Sequence, residues 1–238
     1  AMLLILCGAP AGNKTHTAYL VPEWIMSGDE NIKSAFLRFL FNFEGSTPRK
    51  KKNRPCSWHM ALHIVKSRRL ASNGIDFLNQ IREMLGYFSI TSSRVGLTER
   101  SGGLSDNPVL HFSISTQESV TNFCKHIGFY NMNKQYALEN CVKEIAMNGR
   151  IMSAEAAKVL AIVKSAFVTD RMLLNEINRI SNVGYTARQL EHFRRMETKM
   201  PLDFIFTLAH MSGNNDFIKS MPAYVNALYN LNAPSFRK

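Results

Sequence analysis

The sequence predicts an α+β domain followed by a mostly helical one, and three observations carry that prediction. Stretches with an apolar–polar period of two alternate with stretches of helical period through roughly the first half of the chain. After Asn148-Gly149 the two-residue period disappears and helical spacing takes over. The 238 residues are 45% hydrophobic and 20% charged, a composition that supports a real core and excludes a largely disordered chain, a collagen-like fibre or a small disulfide scaffold. The reading divides the chain into a lead-in or inter-repeat linker over 1–27, an α+β domain over 28–148 and a helical domain over 149–238.

In chain order, a helix is expected over Asp29–Phe43, where Ile32, Phe36, Phe39 and Phe43 form an apolar face broadened by Ala35 and Leu40. Ser27 or Asp29 is placed to cap it and Gly45 to end it. Ser57–Lys66 alternates, with Trp58, Met60, Leu62 and Ile64 on one face and Ser57, His59, Ala61 and His63 on the other. A helix from Gly74 to about Leu85 buries Ile75, Leu78, Ile81 and Leu85. Arg94–Arg100 alternates again, Val95 and Leu97 inward, and Val109–Thr116 repeats the pattern with Leu110, Phe112 and Ile114 inward. The next helix, about Glu118–Ile127, buries Val120, Phe123 and Ile127. Strands with one apolar and one polar face pack helices on one side and leave the other for solvent or a ligand.

The second domain reads as all helix, or helix with a small wing. Ser153 caps a segment to about Phe167, and Thr169 caps one to Ile180. Thr186 and Gln189 have capping-box spacing and open a third helix to Met200, stopped by Pro201. The short link over 181–185, with Gly184, has the length of a helix-turn-helix connection.

Charge points to the partner. Lys+Arg number 29 against 18 Asp+Glu, a net charge of +11, which suits a polyanion. No Asp or Glu occurs from Gly45 to Ile75, where Arg49, Lys50, Lys51, Lys52, Arg54, Lys66, Arg68 and Arg69 lie. With His59, His63, Arg94, Arg100 and His111 on the outward strand positions, the face is expected to neutralise phosphates and set short polar groups against bases. On the third helix of the second domain, Arg188, His192, Arg195 and Lys199 would form one basic stripe, as a recognition helix needs. The four scattered cysteines, without a CxxC pair, read as reduced thiols of an intracellular protein. No stretch has the length of a membrane-spanning helix.

Two other motifs are weaker. The run from Gly8 through Gly12, Asn13 and Lys14 to Thr15 nearly matches a phosphate-binding loop, but Asn13 stands where a glycine lets backbone amides close on phosphate. Cys56, His59 and His63 have zinc-like spacing without a nearby fourth ligand. Glu44, a carboxylate at a helix C-terminus where the dipole disfavours it, calls for a compensating cation such as a divalent metal.

These pieces together resemble the LAGLIDADG homing endonuclease family. Leu37-Arg-Phe-Leu-Phe-Asn-Phe-Glu44-Gly45 aligns with the nine-letter motif, preceded by the lead-in Val21-Pro-Glu-Trp-Ile25. Phe77 to Gly86 is similar to the family's middle helix, and Leu110–Ser115 with Phe123–Phe129 to its final strand and helix. The resemblance implies an αββαββα domain whose sheet forms a saddle over double-stranded DNA, with Glu44 as the catalytic residue and metal ligand and Mg2+ or another divalent cation as cofactor. It implies a second motif, from a homodimer partner or from a region preceding this one. The family also includes RNA-splicing maturases, and its fold occurs in non-cleaving regulators, so RNA is a further expected partner. Phe39 and Phe43 stand at two positions where the family carries small residues.

Overall fold

The computed structural model describes residues 10–50, 58–99, 107–213 and 216–232. The chain divides into two compact units, Ala1–Cys141 and Val142–Lys238. The boundary, between Cys141 and Val142, falls inside a helix that runs on to Asn148, seven residues short of where the change of period placed it.

The first unit runs α1 (Glu23–Met26), α2 (Glu30–Glu44), β1 (Arg49–Lys50), β2 (Trp58–Val65), a 3-10 turn (Arg68–Leu70), α3 (Ala71–Tyr87), β3 (Gly96–Thr98), β4 (Val109–Ile114), α4 (Gln117–His126) and α5 (Met132–Asn148). The sheet is antiparallel in the order β1-β2-β4-β3. From α2 to α4 the element order is therefore αββαββα. Of the two candidate caps for α2 it is Asp29 that accepts from the Ile32 amide, and Thr116 caps α4 by accepting from the Ser119 amide.

The core lies on one side of the sheet. Trp58, Met60, Leu62, Leu110, Phe112 and Ile114 are buried on that face, as are Leu37 and Phe41 of α2, Leu78, Ile81 and Leu85 of α3, and Val120 and Phe123 of α4. Phe41 sits at its centre, ring centroids 4.9 Å from Phe123 and 6.3 Å from Phe112. Phe41→Ala is expected to cost about 3–5 kcal/mol, the price of a large buried cavity, measurable as a lower urea midpoint. Gly74 lets α3 close on the sheet, because a Cβ there would lie 2.4 Å from Leu110 Cδ1.

One expectation about faces is corrected. The stripe Ile32, Phe36, Phe39 and Phe43 is not the buried one; Leu37 and Phe41 are, while Phe39 and Phe43 are 59% and 66% exposed. The helix is apolar on two sides, and the sheet takes the other one. Leu97 pairs with Leu110 on the inner face, as expected, but β3 is a three-residue edge strand and leaves it 48% exposed.

The second unit contains the end of α5, β5 (Arg150–Ile151), α6 (Ala154–Ser165), α7 (Asp170–Ser181), α8 (Ala187–Arg194), β6 (Met200–Pro201), α9 (Leu202–Ser212), α10 (Asp216–Lys219) and α11 (Ala223–Asn232). β5 and β6 pair antiparallel, a small wing beside the helices. Ser153, Thr169 and Thr186 cap α6, α7 and α8 as expected, and Thr186 with Gln189 closes a full capping box. In the link between α7 and α8 it is Asn182, at φ 54°, that takes the left-handed conformation, and Gly184 does not. α9 is the hub: Leu202, Phe204, Ile205, Phe206, Leu208 and Ala209 are all buried, the pattern of a helix surrounded by others.

At the start of α9, the Tyr185 hydroxyl donates to Asp203 Oδ2 at 2.8 Å, while Oδ1 is buried with no hydrogen-bond partner. Burial holds the Asp203 carboxyl above its ordinary value of 3.8. A carboxylate raised in the folded state contributes stability below its unfolded pKa, and that contribution is lost as pH rises through the folded pKa. Asp203→Asn, which keeps an acceptor for Tyr185 and removes the charge, is therefore expected to melt higher than the wild type at neutral pH. The difference should vanish in acid, as read by calorimetry across pH.

Among the described residues no helix is long and apolar enough to cross a membrane.

Candidate nucleic-acid interface

The core side chains of α2, α3 and α4 lie on one face of the sheet; on the other, Ala61 is buried, His59, His111 and Ser113 are half-buried and His63 is exposed. Register fixes what that face carries. His63 pairs with His111, which pairs with Gly96; Ala61 pairs with Ser113; and Arg49 pairs with His59. Cross-strand partners share a face, so Arg49, His59, His63, His111 and Ser113 form one outward surface across β1, β2 and β4. Lys50 pairs with Trp58 and so lies on the opposite pleat from Arg49, although it is exposed. Arg94 is exposed just before β3, next to Ser93, whose amide donates to the Ser113 carbonyl at 2.8 Å. Among the described residues, the acidic group at this sheet's rim is Glu99, and Arg68 neutralises it at 2.9 Å. Lys51, Lys52, Arg54 and Arg100 lie outside the described residues, as does Cys56.

Lys66 does not belong to this surface. It is fully buried, and its ammonium donates to the carbonyls of Lys14 (2.9 Å) and Thr17 (2.6 Å) while lying 3.5 Å from the Tyr19 ring centroid. Burial lowers its pKa. It clasps the segment over 13–21 to the domain, helped by Asn73 accepting from the Tyr19 amide and Gln80 accepting from the Val21 amide. Gly8 lies outside the described residues; in the rest of the loop-like run Asn13 Oδ1 accepts from the Thr15 amide, ordinary turn chemistry, and no helix begins until the four-residue α1 at Glu23. His59 and His63, four residues apart on one strand, are separated by roughly 13 Å of rise, too far to share one zinc ion.

Glu44 ends α2, and the chain passes directly from it into the sheet. The Ser46 amide donates to the Ala61 carbonyl, and the Ser46 hydroxyl accepts from the Ala61 amide, standing in for a backbone partner. Two lysines answer the misplaced carboxylate. Lys14 Nζ lies 3.6 Å from Glu44 Oε1. Lys134, in the first turn of α5, donates to the carbonyls of Asn42 (2.8 Å) and Gly45 (2.6 Å), capping the last turn of α2. Burial lowers the Lys134 pKa and the Glu44 charge opposes that shift. Lys134 escaped the sequence reading, yet a signal existed: a cation in the first turn of a helix is as ill-placed for the dipole as Glu44 is at the end of one.

Among the described residues no group of three His, Cys, Asp or Glu side chains is placed to hold a metal ion. Glu44 is a single carboxylate beside ammonium groups. One chain alone therefore does not fit a divalent cation, and a second carboxylate from outside this set is needed to complete a site.

In the second unit the basic stripe is broken. α8 ends at Arg194, and Met196 turns to φ 55°, so Lys199 is off the helix and Arg195 is at its cap. The charges are also answered locally. Arg195 pairs with Glu191 at 2.8 Å, Arg194 with Glu191 at 2.6 Å and His192 with Glu197 at 2.5 Å, while Arg188 donates to the His192 ring at 3.3 Å. Arg188 and Arg195 are not two points on one uninterrupted cationic face.

No family model matches the chain, and no solved structure matches it. Curated relatives do. The chain is 31% identical over 129 residues to the tRNA-splicing ligase RtcB of Pyrococcus abyssi, covering 54% of this chain and 13% of that protein. It is 28% identical over 168 residues to the replication factor C small subunit of Methanocaldococcus jannaschii, covering 67% of this chain and 9% of that protein. It is 24% identical over 224 residues to the DNA-directed RNA polymerase subunit Rpo1N of the same organism, covering 91% of this chain and 16% of that protein. The chain thus spans less than a fifth of the length of each of these relatives.

Proposed function

We propose that the first unit is one half of a LAGLIDADG-type homing endonuclease, an intracellular protein that binds double-stranded DNA through the outer face of its sheet and hydrolyses phosphodiester bonds. One observation carries the reading. An αββαββα unit with its helices on one side of a basic sheet also presents a motif helix on which Phe39 and Phe43 are exposed, Phe36 and Leu40 are half-buried, and the last residue is Glu44. A surface helix displaying large apolar groups at helical spacing is built to be covered by another element. A second motif helix, from another copy of this chain or from a further segment, would cover it and bring a second acid beside Glu44. Mg2+ or a related divalent cation would then have ligands from both halves; its chemistry there is activation of water for hydrolysis.

Parts of the chain match small fractions of a ligase, a replication factor and an RNA polymerase subunit. Relatives of such different names fit a unit with a role of its own rather than a part of any one of their activities.

A second reading, a DNA- or RNA-binding regulator or maturase-like protein that does not cut, is favoured by Phe39 and Phe43. Rings at the positions that need small residues hold two motif helices apart and separate their acids. The second unit, with its short α7–α8 link, would serve as an added binding domain in either case. The test is selection from a library of long random duplexes with Mg2+ or Mn2+, followed by sequencing of both retained and cut molecules. Cut ends at one long site support the nuclease. Retention of one site uncut supports the second reading, and a library in which no site is retained or cut overturns both.

A further inference from the structure

The sheet's outer face holds one arrangement that its charge alone does not explain. His63 and His111 are direct cross-strand partners, their rings stacked with centroids 5.7 Å apart and planes 26° from parallel. The third strand makes room for them. Gly96 is the partner of His111 on its other side, and a Cβ at Gly96 would lie 3.1 Å from that ring, tighter than nearly all ordinary contacts. A side chain on β3 would therefore press against the His111 imidazole, and glycine leaves it clear.

We propose that His63 and His111 act as one proton-coupled clamp on a backbone phosphate of a bound nucleic acid, a proposal that rests on the sheet-face reading above. Two adjacent imidazoles disfavour each other's protonation, so the free pair resists carrying two charges. A phosphate oxygen reached by both rings reverses that balance, because two imidazolium N–H groups donate charge-assisted bonds to it. Partial burial and the His111 ring beside it hold His63 below the usual imidazole range, in keeping with a pair that waits for an anion.

The charged surroundings, element by element among the described residues, are these. β2 contributes His59, β1 contributes Arg49 opposite it, Arg94 precedes β3, and Glu99 follows β3 in its ion pair with Arg68. No carboxylate among them contacts either ring of the pair, so a bound phosphate is the anion that would draw the protons on.

The experiment measures affinity of the whole chain for a long duplex from about pH 7.5 to about pH 5.5 at fixed salt, the span in which histidine titrates. Binding at the upper pH tests the sheet-face reading; its change with pH tests the clamp. The wild type is expected to tighten by about tenfold per pH unit where one proton is taken up, and more steeply where both are. His63→Asn with His111→Asn should flatten the response to pH, and His59→Asn should keep it. Proton NMR of the imidazoles should show both rings titrating at higher pH with duplex than without. Inorganic phosphate alone should leave the two curves in place.

A wild type that binds with no pH response overturns the clamp but not the reading. So does a double variant that keeps the response, or an equal shift with inorganic phosphate. A chain that fails to bind duplex anywhere in the range overturns both.

Discussion

Arg49→Ala combined with Arg94→Ala is expected to weaken duplex binding about a hundredfold at moderate salt, about tenfold for each charge-assisted contact removed. The two residues flank the outer sheet face, and Arg94 makes no ion pair among the described residues that would neutralise it. If each neutralises one phosphate, the pair should reduce the slope of log affinity against log salt by roughly 0.9 per residue. Lys66→Met is the matched contrast. Its ammonium is bonded to two carbonyls inside the domain, so its removal strands both acceptors. Lys66→Met should lower the unfolding midpoint and leave the salt slope as it was. A salt slope that falls with Lys66→Met and not with the two arginine changes would reverse the assignment of the interface.

Glu44→Gln is expected to abolish metal-dependent strand cleavage, a loss beyond the roughly 10–100-fold that outer-shell changes at metal sites cause. The substitution preserves size and hydrogen bonding and removes the charge that a cation needs. It also removes the ion pair with Lys14, but that pair is largely solvent-exposed, so the fold should be little affected. DNA affinity measured with Ca2+ or without divalent ions should be unchanged or slightly stronger, because a carboxylate near the phosphates repels them. Cleavage that persists in Glu44→Gln would remove Glu44 from the chemistry. If the wild type binds one site and never cuts it, Phe39→Ala with Phe43→Gly becomes the informative variant: closer helices should then restore cleavage if ring bulk is what separates the acids.

Local signals were legible in the sequence where a residue's neighbours along the chain decide its fate. Asp29, Ser153, Thr169 and Thr186 cap the helices they were expected to cap, since an N-cap answers to amides two or three residues on. The two long strands also read correctly, because a period of two has one interpretation when one face is uniformly apolar. The side of α2 that is buried was not legible. Leu37 and Phe41 compete with Phe36, Phe39 and Phe43, and periodicity cannot choose between two apolar faces. Lys66 has the parity of Trp58, Met60, Leu62 and Ile64, so the alternation itself points it inward; its charge hid this, and the carbonyls of the segment over 13–21 let it stay there. The end of α8 carries no proline or glycine at the break; the helix stops where Met196 turns left-handed and Glu197 reaches back to His192.

The site divides the same way. Glu44 stood out because its place at a helix end is unfavourable by itself. Lys134 carried a weaker signal of the same kind, and its partners appeared only when the fold brought the start of α5 against the end of α2. The corrected arrangement places two ammonium groups at the motif's acid and a partly exposed apolar helix face beside it.

Hydroxyl-radical footprinting of the chain, free and bound to a long duplex, tests the sheet face as the nucleic-acid surface most directly, since histidine, tyrosine and methionine side chains report their own solvent contact. Loss of reactivity at His59, His63 and His111, with exposed Tyr87 on α3 and Met172 on α7 still reactive, is the predicted result. Protection centred on Met172 or Tyr87, with the three histidines as reactive as in the free chain, would contradict it.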